Sequence, residues 1–204
     1  MPSTNKEMVE DLKKQGVLKT SEIINAFLQV DRKKFLKPEQ YAHAYDDTPL
    51  PTLSGQTISQ PYTVAFMFEL LSPEPGQKIL DIGSGSGWTT AMLANIVGEE
   101  GEVIGTEIVP ELVKYGSNNL RKFKFSNAII QQADEHYYGV EGKVFDRILV
   151  SASAHEMPQS LIDQLKPNGI MVIPINENIV KVRKSGDEKI TTIEYPGFVF
   201  VPLV

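Results

Sequence analysis

Cysteine is absent from the 204 residues, which excludes disulfides, thiolate catalysis and zinc-thiolate sites. No apolar run approaches the roughly 18 residues that span a bilayer. The opening residues, Met1-Pro2-Ser3-Thr4-Asn5-Lys6-Glu7, lack the apolar centre of a signal peptide. A cytoplasmic protein with no membrane partner is therefore expected. Positive charge is scarce too: 20 basic residues stand against 26 acidic ones, for a net charge of −6. Nucleic-acid enzymes need a basic surface to neutralise phosphates, so no nucleic-acid partner is expected. The local run Arg121-Lys122-Phe123-Lys124 reads as a solvated helix end. Only three histidines occur, His43, His136 and His155, with no two at helix ligand spacing, and no metal site is expected. What remains is the composition of an ordinary globular chain, 41% hydrophobic and 23% charged, of a length suited to one domain. It is taken as a monomer.

The pattern of apolar residues changes along the chain. Residues 1–76 read as helices and a polar segment. Met8, Val9 and Leu12 share a helical face ended at Gly16; Ile23, Ile24, Phe27 and Leu28 share another after Thr20-Ser21. A turn-rich stretch runs from Asp46 to Gln60, and Pro61 opens a third helix. Residues 77–204 alternate strand and helix. Buried strands are expected at Lys78–Ile82, Glu102–Thr106, Ala128–Ile130, Phe145–Val150 and Ile170–Ile173. Such alternation implies an α/β fold, Rossmann-like and doubly wound, whose mostly parallel sheet carries helices on both faces. Ile179–Arg183 and Lys189–Glu194 flank Ser185-Gly186-Asp187 as a hairpin, with a last strand expected at Phe198–Val201. The far edge is thus expected to be antiparallel.

The most informative stretch is Asp81-Ile82-Gly83-Ser84-Gly85-Ser86-Gly87, between the first strand and its helix. Glycines there let the backbone turn sharply and approach a ligand closely. A dinucleotide fingerprint needs a small third residue, yet the spacing places Trp88 or Thr90 there. The Gly-Lys-Ser/Thr ending of a phosphate-binding P-loop is also missing. Glu107 lies 20 residues after Gly87, at the end of the second strand. A carboxylate so placed can accept hydrogen bonds from both hydroxyls of a ribose. Asp134, just past the third strand, is placed to meet a base.

The loop resembles the Asp-x-Gly-x-Gly-x-Gly loop of class I methyltransferases. Upstream stand Ala44-Tyr45-Asp46-Asp47-Thr48-Pro49-Leu50-Pro51 and Gly55-Gln56-Thr57-Ile58-Ser59-Gln60-Pro61. With Val30-Asp31-Arg32-Lys33-Lys34-Phe35, Phe145-Asp146-Arg147-Ile148, Leu161–Gly169 and the closing Phe200-Val201-Pro202-Leu203, these segments resemble the protein-L-isoaspartate O-methyltransferase family over almost the whole chain. One difference is local: the family's Gly-Asp-Gly after the third strand is Ala133-Asp134-Glu135 here.

The resemblance implies S-adenosylmethionine as cofactor and isoaspartate-containing damaged proteins and peptides as partners. It implies a cofactor site of Thr57, Ile58, Asp81, Gly83, Ser84, Gly85, Gly87, Glu107, Asp134 and Glu135. It further implies Ser59 as the active-site serine, with Asp47, Gln56 and Thr57 on the substrate side. Read locally, without the resemblance, Ser59 is an N-cap for the helix at Pro61, a role compatible with the other, and Asp47 a turn residue. The expected activity is methylation of the free α-carboxylate of L-isoaspartyl residues, whose ester then closes to a succinimide. A carboxylate is already ionised at pH 7, so the site needs to position it rather than deprotonate it. Ser59 is accordingly expected to orient the substrate, not to attack it. Two alternatives remain open at this point: a class I methyltransferase for another carboxylate, or a weakly active cofactor-binding regulator.

Overall fold

A computed structural model describes residues 2–203. Two N-terminal helices come first, α1 (Asn5–Lys14) and α2 (Ser21–Gln29). Thr4 starts α1 by accepting from the Glu7 amide at 3.2 Å, while the Glu7 carboxylate accepts from the Ser3 amide at 2.6 Å. This reciprocal pairing satisfies amides that a helix leaves free at its start. Gly16, at φ +72°, ends the segment as its position predicts. Met8, Val9, Leu12, Ile23 and Phe27 are buried in one cluster with α3 (Pro61–Leu71). Between α2 and α3 runs a strap with little regular structure. It contains two 3₁₀ segments, Arg32–Phe35 and Pro38–His43, and a two-residue ribbon, β1 (Leu50–Pro51) against β2 (Thr57–Ile58), in which Leu50 faces Ile58.

The remainder alternates as expected: β3 (Lys78–Ile82), α4 (Trp88–Val97), β4 (Glu102–Glu107), α5 (Pro110–Arg121), β5 (Ala128–Gln132) and β6 (Phe145–Val150). Then follow α6 (Gln159–Asp163), β7 (Leu165–Ile175), β8 (Asn178–Lys184) and β9 (Ile190–Pro196). The sheet order is β5-β4-β3-β6-β7-β8-β9, parallel from β5 through β7 and antiparallel from β7 to β9. Strands β3 and β6 are buried almost throughout because both faces are covered. The chain winds outward from β3 to β5 and then crosses to β6. The direction of winding therefore reverses between β3 and β6, and ligands bind at the carboxyl ends of strands at such a reversal.

One expected strand is not there. Phe198–Val201 does not join the sheet; the chain leaves β9 through Pro196 and Gly197, whose φ is +97°. Proline ends the ladder on that side by lacking an amide hydrogen. The turn then sends the tail across the carboxyl ends of the strands. There Ser153 exchanges two bonds with the tail, Ser153 N to Val201 O and Leu203 N to Ser153 O, both at 2.8 Å. Among the described residues no helix is long and apolar enough to cross a membrane.

Candidate active site

Above β3, β4 and β6 lies an open cavity lined by Ile82, Gly83, Thr106, Glu107, Leu112 and Ser151, at the strand ends where ligands of such sheets bind. Gly83 and Gly85, at φ +72° and +50°, form its floor. Glu107, at the end of β4, is 6% exposed and lines the same space. Its two oxygens accept from the Gly85 amide at 2.9 Å and the Val109 amide at 3.0 Å. Each oxygen keeps a further lone pair, so the carboxylate is fixed in place and can still accept from a ligand. Ile108, Leu112 and Ala133 supply an apolar wall on one side.

The glycine loop is pressed from behind by two further glycines. A Cβ on Gly116 of α5 would stand 2.7 Å from the Gly85 carbonyl, and one on Gly105 of β4 would stand 2.9 Å from Ile130 and 3.1 Å from Ser84. Only hydrogen at these positions lets helix, strand and loop approach so closely. Asn119 adds a buried bond from its amide to the Ser86 carbonyl at 3.0 Å. Asp81 is wholly buried beneath the loop, with Oδ2 accepting from the hydroxyls of Thr89 at 2.8 Å and Thr90 at 2.6 Å. Burial pushes its carboxyl up to about 6 and the Glu107 charge adds to this, while the threonine bonds oppose it.

The strap closes the other side. Its organiser is Arg32, a 0% exposed guanidinium at the start of a single 3₁₀ turn. Nη1 donates to the carbonyls of Ala44 at 3.0 Å and Asp46 at 3.1 Å; Nη2 donates to those of Thr48 at 2.9 Å and Ser59 at 3.1 Å. The same guanidinium stands 5.5 Å from the ring centre of Trp88, the first residue of α4. Trp88 in turn donates from its indole to the Val30 carbonyl at 3.1 Å. One cation thus ties both ends of the strap to the helix that starts from the glycine loop. Burial lowers the Arg32 pKa to about 10, opposed by Asp47 and Asp46, so it stays charged at neutral pH.

Between strap and tail opens a second cavity, a mouth lined by Pro49, Thr57, Ser59, Gln60, Thr63 and the Val199–Val201 segment. Ser59 also lines a narrower space beside Ser84 and Gly85. Its hydroxyl has no partner among the described residues.

The model of the protein-L-isoaspartate(D-aspartate) O-methyltransferase family matches residues 3–204. The chain belongs to that family. Among relatives, the protein-L-isoaspartate O-methyltransferase of Methanopyrus kandleri is 40% identical over 202 residues, covering 97% of this chain and 89% of the relative. That of Pyrobaculum islandicum is 39% identical, covering 96% and 97%. A Plasmodium falciparum structure assigned to the same activity, in complex with S-adenosyl-L-homocysteine, superposes with a TM-score of 0.86. It is 32% identical, with 98% of each chain covered.

Against this membership of the isoaspartyl methyltransferase family, most of the expected cofactor residues line the cavities. Gly83, Gly85, Glu107 and Asp134 face the large cavity, together with Gln56, which was expected on the substrate side. Ser84 and Ile58 face the narrow space, and Thr57 faces all three. Asp134 also turns its own loop, accepting from the His136 amide at 2.7 Å.

Four expected residues stand elsewhere. Asp81 braces the loop from beneath; Gly87 packs on Gly116, where a Cβ would meet the carbonyl at 3.0 Å; Glu135 is exposed and lines no cavity. Asp47 lines none either, because its carboxylate is occupied in capping α3, accepting from the Tyr62 amide at 2.8 Å and the Gln60 side chain at 3.2 Å. The cap locally expected of Ser59 is therefore supplied from 15 residues upstream of Tyr62, and the Ser59 hydroxyl is left free. Arg32, Gly105, Gly116, Asn119, the Tyr137–Tyr138 wall and the tail at Val201–Leu203 were not singled out from the sequence. Of these, Arg32 and the tail carried a signal, as parts of the Val30–Phe35 and Phe200–Leu203 motifs.

Proposed function

We propose that this chain transfers a methyl group from S-adenosylmethionine to the free α-carboxylate of L-isoaspartyl residues in damaged proteins and peptides. The observation carrying this reading is the chemistry of the mouth. Thr57, Ser59, Gln60 and Thr63 offer hydroxyls and an amide, and no acidic or basic side chain lines the mouth among the described residues. An amine or alcohol nucleophile arrives protonated and needs a base. A carboxylate, with a pKa near 4, arrives ionised and needs only donors to fix it. A mouth without carboxylates also sets no like charge against it.

The residues suit S-adenosylmethionine on their own chemistry. Glu107 has free lone pairs for ribose hydroxyls, Ile108 and Leu112 an apolar surface for the base, and Gly83 and Gly85 bare backbone for the amino-acid end. Two buried hydroxyls, Ser84 Oγ and Thr106 Oγ1, lack partners, on residues that line these cavities. Bound there, S-adenosylmethionine supplies a methyl group on a cationic sulfur and is left as S-adenosylhomocysteine once the carboxylate oxygen has taken the methyl.

The chain's own part is alignment. Ser59 donates to the carboxylate while Arg32, through the Ser59 carbonyl, fixes the backbone that carries the hydroxyl. Thr57 stands at the wall shared by cofactor cavity and mouth. Holding reactants in line contributes up to about 7–11 kcal/mol in well-aligned systems. In the ester the leaving group is methanol, so the amide nitrogen of the following residue attacks the ester carbonyl and closes the succinimide.

The test is a pair of peptides differing only in isoaspartyl or aspartyl at one position. An isoaspartyl residue carries its carboxylate one methylene nearer the main chain. A displacement near 1 Å costs on the order of a hundredfold in rate. We expect turnover of the isoaspartyl peptide and almost none of its twin. Equal rates on both would overturn the repair assignment.

A further inference from the structure

We propose that Ser151 is a second catalytic hydroxyl, gripping the reacting carboxylate opposite Ser59; this rests on the functional reading above. Ser151 follows β6 directly, at the point where the sheet's winding reverses. Its amide donates to the Ile82 carbonyl at 2.8 Å, extending the β3–β6 ladder by one residue. Its side chain stands beside the glycine loop, 3.8 Å from where a Cβ on Gly83 would be. Thr57 and Ser151 are the two residues that line the cofactor cavity, the narrow space and the mouth alike. Of this pair, Thr57 belongs to the strap and Ser151 to the sheet. The Ser151 hydroxyl is half-buried and has no hydrogen-bond partner among the described residues. It is a donor with nothing to donate to, held by rigid backbone where the two ligands must meet.

The chemistry needs such a group. A single donor leaves a carboxylate free to swing about the hydrogen bond, moving the reacting oxygen off the line of displacement. A second donor from the opposite wall fixes both oxygens. Ser59 supplies one from the strap and Ser151 the other from the sheet, so the carboxylate is held between the two.

Ser151→Ala should lower kcat on the isoaspartyl peptide about tenfold or more, the usual loss for a bond to a charged group. Affinity for S-adenosylhomocysteine, by calorimetry, should stay within about twofold. Ser151→Thr, which keeps the hydroxyl, should recover most of the rate. The Ser59→Ala/Ser151→Ala double variant should fall by less than the product of the single losses, since both act on one carboxylate. A melting curve separates these effects from unfolding. Unchanged kcat in Ser151→Ala overturns the proposal, as does a loss of cofactor affinity matching the loss of kcat. Fully multiplicative losses overturn the shared grip. If wild-type protein fails on the isoaspartyl peptide, the functional reading falls; if it turns over while Ser151→Ala matches it, only the role of Ser151 falls.

Discussion

The cofactor rim and the strap enclose the same reaction space and are built in opposite ways. The rim is regular structure: strand ends, a helix start and glycines at positive φ, locked by a backbone-facing carboxylate. The strap has four residues of strand and is held by side chains reaching its carbonyls from outside. Each half also buries a charge of opposite sign. Arg32 donates to four carbonyls from its two terminal nitrogens, with Nε alone left without a partner, and remains ionised far above neutral pH. Asp81 has one oxygen on two hydroxyls and the other without a partner, and titrates near pH 6. A site can thus take its fixed half from secondary structure and its adjustable half from one well-bonded cation.

The largest expected effect separates the halves. Arg32→Met keeps an apolar stem and removes every donor to the strap. Each buried acceptor left unpaired costs about 1–3 kcal/mol, and the strap relieves part of this by relaxing into water. A net loss of about 3 kcal/mol is expected, with methyl transfer down more than about a hundredfold. Because the rim does not depend on those donors, affinity for S-adenosylhomocysteine should fall by less than about tenfold. Urea titration, peptide kinetics and calorimetry check the three statements. If cofactor affinity collapses together with turnover, the two halves are not separable, and the Trp88 contact couples them more tightly than its 5.5 Å distance implies.

The next effect uses pH to reach the rim alone. The Asp81 carboxyl rises from an ordinary 3.8 to about 6 in the folded chain. A folded pKa above the unfolded one means the folded state holds its proton more tightly. Its contribution to stability is therefore fullest below about pH 4 and is lost as pH climbs through 6, roughly 3 kcal/mol in all. Asp81→Asn carries no such loss. The stability of Asp81→Asn relative to wild type should rise between pH 4.5 and pH 7, as measured by urea denaturation at each pH. Parallel pH profiles for the two proteins would mean that Asp81 is solvated and is not the buried brace described above. Arg32, at about 10, adds nothing across this window.

The same contrast explains what the sequence made legible. Glu107 could be placed because strand, glycine loop and carboxylate follow one another at a fixed spacing. The five buried strands announced themselves through apolar runs. Gly105 and Gly116 could not be singled out, since the atoms that forbid a side chain there belong to other segments. Arg32 was hidden for a related reason. Its four acceptors are backbone carbonyls 12 to 27 residues away, and every residue type has one. Glu135 was placed by its neighbour Asp134, but the turn that Asp134 makes leaves it exposed and off the cavity wall. The strand expected at Phe198–Val201 had the right composition; the Pro196-Gly197 turn diverted it over the site instead.

The smallest effect concerns the residue whose role changed most. Asp47 resembles a substrate-side acid, yet its carboxylate caps α3 and lies beside the guanidinium of Arg32. Replacing a capping Asp costs about 0.5–2 kcal/mol, and a charge near a helix N-terminus contributes about 0.3–1 kcal/mol. Asp47→Asn keeps an oxygen for the Tyr62 amide and loses only the charge, so a loss of under about 1 kcal/mol is expected. Asp47→Ala loses the cap as well and should cost about 1 kcal/mol more. In neither variant should KM for the isoaspartyl peptide move by more than about threefold, because the substituted atoms do not line the mouth. The strap would then be weakened as a structure and unchanged as a surface. A tenfold rise in KM at an unaltered melting temperature would return Asp47 to the substrate, and the division between holding the strap and using it would have to be drawn through this carboxylate.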